Sequence, residues 1–218
     1  MQKTRQTIAI DIDDVVAKTT EAVRLWANQI GGVELAAEDY FITEAGYWNY
    51  YEAVWRAHSL EGTLSFADFL KTLNVNQAHI AVMDGAREAI AELKQYYDVI
   101  FITARTPDHK DSTREWLDER IDATVPLYLS HNPVANVVAQ SKGELCAELG
   151  VSVLIDDNID NCHSAVQYGV EAILFGNYGW NCDEAVGSSM GAVAAGPVKL
   201  SRYMSWPEIT EYLCGRFQ

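Results

Sequence analysis

The sequence predicts a doubly wound, Rossmann-like α/β protein: a five-stranded parallel sheet covered by helices on both faces, with a small helical unit inserted after the first strand. Three observations carry that expectation. Five short runs rich in Val, Ile and Leu lack polar alternation, as strands buried on both faces do. Helical patterns stand between them, and strand–helix alternation builds a parallel sheet. One connection, residues 14–97, is far longer than a crossover helix requires, so it must hold structure of its own.

The first run is TIAID (7–11), and it leads into the aspartates Asp11, Asp13 and Asp14. Side chains alternate along extended chain, so Asp11 and Asp13 point one way and Ile12 the other. The stretch 18–80 reads as the insert, leaving 1–17 and 81–218 as the α/β core. Within the insert, Val23, Trp26, Ala27 and Ile30 share one helical face. So do Tyr51, Val54 and Trp55, and then Phe66, Phe69, Leu70 and Leu73. Close to half of the chain's aromatic residues fall here. Most of them are expected to form the insert's own core, but AGYWNYY (45–51) holds more aromatics than one buried face absorbs.

After the insert, GAREAIAELKQYY (85–97) places Ala86, Ile90 and Leu93 on one face and leads into the second strand, DVIFIT (98–103). Pro107 stands ahead of an amphipathic helix over 108–121, as proline does at helix starts. The third strand is 126–130. A helix over 141–149 opens with Ser141 and Glu144 in capping-box spacing. The fourth strand, VSVLID (151–156), a helix over 158–169 with Gly169 as its stop, and the fifth strand, VEAILF (170–175), complete the alternation. The glycine-rich stretch 185–198 reads as a mobile surface loop, too short and too rich in glycine for a membrane span.

Composition narrows the function classes. With 49% apolar and 22% charged residues, the chain fits a soluble globular protein. A net charge of −15 argues against a nucleic-acid polymer or an anionic membrane as partner. Cys146, Cys162, Cys182 and Cys214 have no C-x-x-C spacing and read as reduced thiols of a cytoplasmic protein. The N-terminal MQKTRQ runs straight into a strand and does not resemble a signal peptide. Oligomeric state is not legible.

Ligands of open parallel sheets sit outside the carboxyl ends of the strands. Those ends supply Asp11 and Asp13, then Thr103, Ala104 and Arg105, then Asp156 and Asp157, with Lys142 in the first turn of the helix before strand four. Singly, each has an ordinary structural explanation. Together, several carboxylates at one rim require neutralisation, and hard oxygen ligands completed by water suit Mg²⁺. An EF-hand is excluded, because Val16 and Ala22 stand where that loop requires Gly and Glu. A phospho-receiver domain has a similar acidic set but no room for the insert.

DIDDV, FITAR, Lys142 and LIDDN resemble, in order, the four motifs of the haloacid dehalogenase (HAD) superfamily of phosphohydrolases, and the insert lies where that superfamily carries a helical cap. VIFITARTPDHKDSTREWL, LIDDNIDNC, ILFGNYGWN and SWPEITEYL are most similar to its 5′(3′)-deoxyribonucleotidase-like branch. Asp14 departs from the pattern, standing where much of the superfamily has glycine. The resemblance implies a nucleophilic Asp11, an acid–base Asp13, phosphate contacts from Thr103, Ala104 and its neighbouring backbone, and a charge-neutralising Lys142. It also implies Mg²⁺ held by Asp11, the Asp13 carbonyl and Asp156, with Asp157 assisting. Arg105 is expected either on phosphate or in a structural ion pair.

Three readings follow. The first is a phosphatase of nucleoside monophosphates, with Phe41, Tyr47 and Trp48 as candidates to stack on a base. The second is the same chemistry on a sugar phosphate or phosphoglycolate. The third is a non-catalytic phosphate-binding protein. The insert's only cations, Lys18, Arg24, Arg56 and Lys71, favour the first over a doubly charged substrate.

Overall fold

The computed structural model describes residues 5–74, 77–135, 140–186 and 198–217. Its sheet has six parallel strands: β1 Thr7–Ile10, β2 Asp98–Thr103, β3 Leu127–Leu129, β4 Val151–Asp156, β5 Glu171–Phe175 and β6 Leu200–Tyr203. Their order is β3-β2-β1-β4-β5-β6. The expectation of five strands is corrected by β6, which pairs with β5 from Ala172↔Leu200 to Phe175↔Tyr203. It carries no apolar run because Ser201 and Arg202 interrupt it: only Leu200 is buried, and Ser201, Arg202 and Tyr203 are half-buried. Most of the glycine-rich stretch expected as a surface loop, 187–197, lies outside the described residues.

Alternation within each strand explains why the runs read as continuous. Ile8 and Ile10 of β1, Val99 and Phe101 of β2, and Ile173 and Phe175 of β5 enter one core. Helices Ala86–Leu93, Lys110–Leu117 and Trp206–Cys214 cover that face. Ala9, Ile100, Ile102, Ala172 and Leu174 enter a second core on the other face, against Leu145, Cys146, Cys162 and Ala165. Both faces are buried, so neither needs polar residues. The four cysteines are free and buried.

The chain runs outward from β1 through β2 to β3, then returns to build β4, β5 and β6 on the other side. The reversal makes a crevice at the carboxyl ends of β1 and β4, the usual place for a ligand in such sheets.

Between β1 and the helix Ala86–Leu93 lie α1 (Thr19–Gly31), α2 (Tyr50–Ala57) and α3 (Phe66–Leu73). Val23, Ala27, Val54, Trp55, Phe69 and Leu73 are buried as their spacing requires, whereas Ile30 is exposed. The two crossings to this insert run side by side. Ala17 bridges Val82 in antiparallel sense, the Lys18 N–H donates to Ala81 O at 2.8 Å, and the Met83 N–H donates to Val16 O at 2.7 Å. Among the described residues, no helix is long and apolar enough to cross a membrane.

Candidate active site

The turn after β1 fixes the first group of residues. The Asp11 N–H donates to Ile155 O at 2.9 Å, holding Asp11 against the end of β4. The chain then folds back through hydrogen bonds from the N–H groups of Val16 and Ala17 to Ile12 O. Asp14 takes a left-handed backbone there, with φ of 55°. Aspartate tolerates that conformation better than most residues, and here its carboxylate accepts from the Thr20 N–H at 2.9 Å and the Thr20 hydroxyl at 2.7 Å. The usual glycine is thus replaced by a residue whose side chain ties the turn to α1.

Lys142 opens the helix Lys142–Glu148 (α6), which Ser141 caps by accepting from the Glu144 N–H. Its side chain is buried. The ammonium hydrogen-bonds Asp156 Oδ2 at 2.6 Å and stands 2.8 Å from Asp11 Oδ1. The second contact is an ion pair without hydrogen-bond direction, so Asp11 Oδ1 has no hydrogen-bond partner. Gly143 lets α6 lie directly on the Ser164 backbone of the helix Ile159–Gln167 (α7), where a Cβ would overlap the Ser164 carbonyl.

Asp156 ends β4. Its Oδ1 accepts from the Asn158 N–H at 2.9 Å and from Asn161 Nδ2 at 3.1 Å. Asp157 is fully buried. Its Oδ2 accepts from Trp180 Nε1 at 3.0 Å, and its Oδ1 has no hydrogen-bond partner. Asp11, Asp156 and Asp157 each offer one oxygen, all within 4.8 Å of one another. Two ligands across a small divalent cation stand about 4.2 Å apart, so the cluster fits such an ion with slight closure. The charge balance agrees. Three buried carboxylates surround one ammonium, burial with Asp156 nearby pushes Asp11 up to about 7 against the pull of Lys142, and burial with Asp156 and Asp11 drives Asp157 well above the carboxylate range. Asp157 Oδ1, buried with no hydrogen-bond partner among the described residues, fits a ligand oxygen for such an ion.

Asp13 lies outside that three-oxygen group but lines the same cavity as Asp11 and Lys142. Its carboxylate accepts from Arg105 Nε at 3.0 Å and from a terminal guanidinium nitrogen at 2.6 Å, and from the Thr19 hydroxyl at 2.6 Å. Burial opposes the charge, but Arg105 and Thr19 prevail and hold the carboxyl below its usual value. Of the two expectations for Arg105, the structure shows the ion pair. The same guanidinium donates to Gln77 Oε1 at 2.6 Å and Thr113 Oγ1 at 3.0 Å.

A cavity opens above these groups, walled by the insert. Tyr47, Trp48, Tyr51 and Phe66 line it together with Trp180 from the turn after β5. Ala104 and Arg105 also line it. Thr103 does not: it is fully buried, and its hydroxyl accepts from the Arg105 N–H at 3.2 Å. Phe41 does not line it either. Tyr40 before it turns inward to accept from Trp55 Nε1, which leaves Phe41 facing out and 45% exposed.

Trp180, Asn161 and Tyr51 were not among the site residues read from the sequence. Asn161 follows Asp156 by five positions, within the first turn of α7. Trp180 lies just beyond β5, so taking the carboxyl end of the fifth strand along with the others finds it.

No protein-family model and no curated protein matches the chain, but solved structures do. A conserved haloacid dehalogenase-like protein of unknown function from Agrobacterium tumefaciens aligns over 98% of this chain and 100% of its own, at 13% identity and a TM-score of 0.59. A predicted phosphoglycolate phosphatase from Haemophilus somnus aligns over 98% and 100%, at 14% identity and a TM-score of 0.60. A HAD family hydrolase from Deinococcus radiodurans, with bound phosphate and sodium, aligns over 97% and 96%, at 13% identity and a TM-score of 0.57. The fold is therefore the haloacid dehalogenase-like α/β fold. At these identities the likeness defines the fold alone.

Proposed function

We propose that the protein is a Mg²⁺-dependent phosphomonoester hydrolase that works through an aspartyl-phosphate, with nucleoside monophosphates as substrates. The observation that carries the reading is Lys142, buried between Asp11 and Asp156 at the sheet's crevice, beneath an aromatic cavity. Asp11, Asp156, Asp157 and the Asp13 carbonyl would hold Mg²⁺, which when bound neutralises the carboxylates and the phosphoryl oxygens. Asp11 attacks phosphorus, forming an acyl-phosphate bond as the ester bond breaks. Lys142 orients that carboxylate and offsets charge on the transferring group. Asp13, once it has taken up a proton from solvent, gives it to the departing alkoxide and later takes the proton of the water that releases phosphate. Arg105 and Thr19 keep Asp13 ionised at rest, which suits the second half and makes the proton donation of the first half the more demanding. The Ala104 N–H would offer a backbone donor to phosphate oxygens on the β2 side, while the Arg105 N–H is held by the Thr103 hydroxyl at 3.2 Å.

Residues 18–80 act as the lid over the remaining 1–17 and 81–218. The cavity supports an aromatic, uncharged leaving group: the lysine and arginine in its lining, Lys142 and Arg105, are both already paired with carboxylates. Tyr47, Trp48 and Trp180 offer ring surface to a base. A second small phosphomonoester is favoured by one observation, the described likeness to a predicted phosphoglycolate phosphatase. The four buried free thiols suit a reducing, cytoplasmic setting.

The test is phosphate release from nucleoside monophosphates, sugar phosphates and phosphoglycolate, with Mg²⁺ or EDTA, for the wild type and Asp11→Asn. Release from nucleotides that disappears with EDTA, and falls at least about a thousandfold in the variant, is expected. Preference for phosphoglycolate would move the reading to the second substrate class. No release from any substrate would sink the enzymatic reading.

A further inference from the structure

Trp180 joins two parts of the site that the roles above treat separately. Its turn is fixed by Asn181, whose side-chain amide donates to Asp157 O at 2.8 Å and Phe175 O at 3.0 Å, spanning the ends of β4 and β5. The indole is almost fully buried. It stacks on Tyr178 at 4.7 Å with an interplanar angle of 8°, and meets Tyr50 and Tyr47 edge-on at 4.7 and 5.9 Å. Packing of this kind settles the ring plane but requires nothing of the ring nitrogen. Yet Nε1 donates to Asp157 Oδ2 at 3.0 Å, beside the carboxylate cluster.

An indole N–H only donates, so it fixes Oδ2 as an acceptor and, with it, the rotation of the whole carboxylate. The oxygen left over, Oδ1, is one of the two buried carboxylate oxygens of the cluster without a hydrogen-bond partner. Groups that hold a ligand carboxylate in place are an integral part of a metal site. We propose that Trp180 is the positioning residue of the divalent-cation site, presenting Asp157 Oδ1 to the ion with the same ring that walls the substrate cavity. The inference rests on the cation reading given above and adds the residue that prepares the site.

The experiment is calorimetric titration of the EDTA-stripped full-length protein with MgCl₂, without substrate. Trp180→Phe keeps a ring and loses the N–H, so its Mg²⁺ affinity is expected to fall about tenfold or more. Asp157→Asn is expected to weaken binding as well, and adding Trp180→Phe to it is expected to cost nothing further, since the two act through one contact. Affinity in Trp180→Phe within about twofold of wild type, or an equal loss in the Asp157→Asn background, would overturn the proposal. A ¹⁵N spectrum of the wild-type protein gives a readout independent of any variant's folding. The indole N–H signal of Trp180 is expected to shift with the same midpoint as binding, and a signal unmoved at saturating Mg²⁺ would count against the role. A wild-type protein that binds no Mg²⁺ removes the cation reading and this inference together. Normal wild-type binding with an unaffected Trp180→Phe removes this inference alone.

Discussion

Burial does most to set the charge of Asp11, with Lys142 pulling one way and Asp156 and Asp13 the other. Asp14, three residues on, uses its carboxylate for architecture. Asp14→Ala removes the hydrogen bonds to Thr20 while keeping a Cβ at a φ of 55°, and is expected to cost about 1–3 kcal/mol in urea unfolding. Asp14→Gly loses the same bonds but adopts the turn freely, so it is expected to be the milder change. The reverse order would show that a Cβ at this φ costs less than the freedom glycine gains in the unfolded chain. At this scale the sequence was informative where chemistry repeats a position: Asp11, Asp156 and Lys142 all follow from reading strand and helix ends. It was silent where two residues meet only in three dimensions. Arg105 and Asp13 lie 92 positions apart, and nothing local to FITAR says whether its arginine faces phosphate or aspartate. Phe41 and Tyr40 illustrate the same limit, since adjacent aromatics point opposite ways and only the fold decides which is inside.

The elements show how precision is delivered to the site. Lys142 is placed by α6, and α6 is placed by its approach to α7 at Gly143. Gly143→Ala would force the helices apart beside the ammonium. The expected result is a loss of about 1–3 kcal/mol in stability and a fall in kcat larger than any change in KM, measured by urea unfolding and steady-state kinetics. Unchanged kinetics would mean that Lys142 tolerates the shift. Four strands were legible because burial on both faces leaves an uninterrupted apolar run, and β3, an edge strand, because its sequence LYL is apolar throughout. The sixth was not, because Ser201 and Arg202 interrupt its apolar residues. The turn carrying Trp180 has no periodicity at all, and its aromatics gain meaning only from the strand end beside them.

For the molecule as a whole, the balance of buried charge sets how stability depends on pH. In the metal-free protein, Asp11 and Asp14 bind protons up to about 7, held there chiefly by burial, whereas an unfolded carboxyl releases its proton near about 3.9. The folded state therefore carries more protons between those values, and its stability falls as pH rises through that window. Asp122, lowered to about 2 by Lys94 and Thr124, works in the opposite sense but below that window, its contribution lost as the pH falls through about 2. Denaturation midpoints in EDTA are expected to fall from pH 5 to 8. Saturating Mg²⁺ is expected to flatten the part due to Asp11 and leave that of Asp14. A midpoint that climbs with pH in EDTA would show that the two carboxyls are ionised throughout.

The paired crossings at 16–18 and 81–83 have a consequence for how such a chain changes over generations. Because the insert leaves and re-enters the sheet at neighbouring points, its host sees only a closed loop, whatever that loop contains. Changes within it that spare Thr19, Thr20 and Gln77, which hold Asp13, Asp14 and Arg105, alter no strand register. Novelty can therefore accumulate in one part of the gene while the other stays under strict constraint. A lineage can thus acquire a new taste in substrates without rebuilding the machinery that processes them.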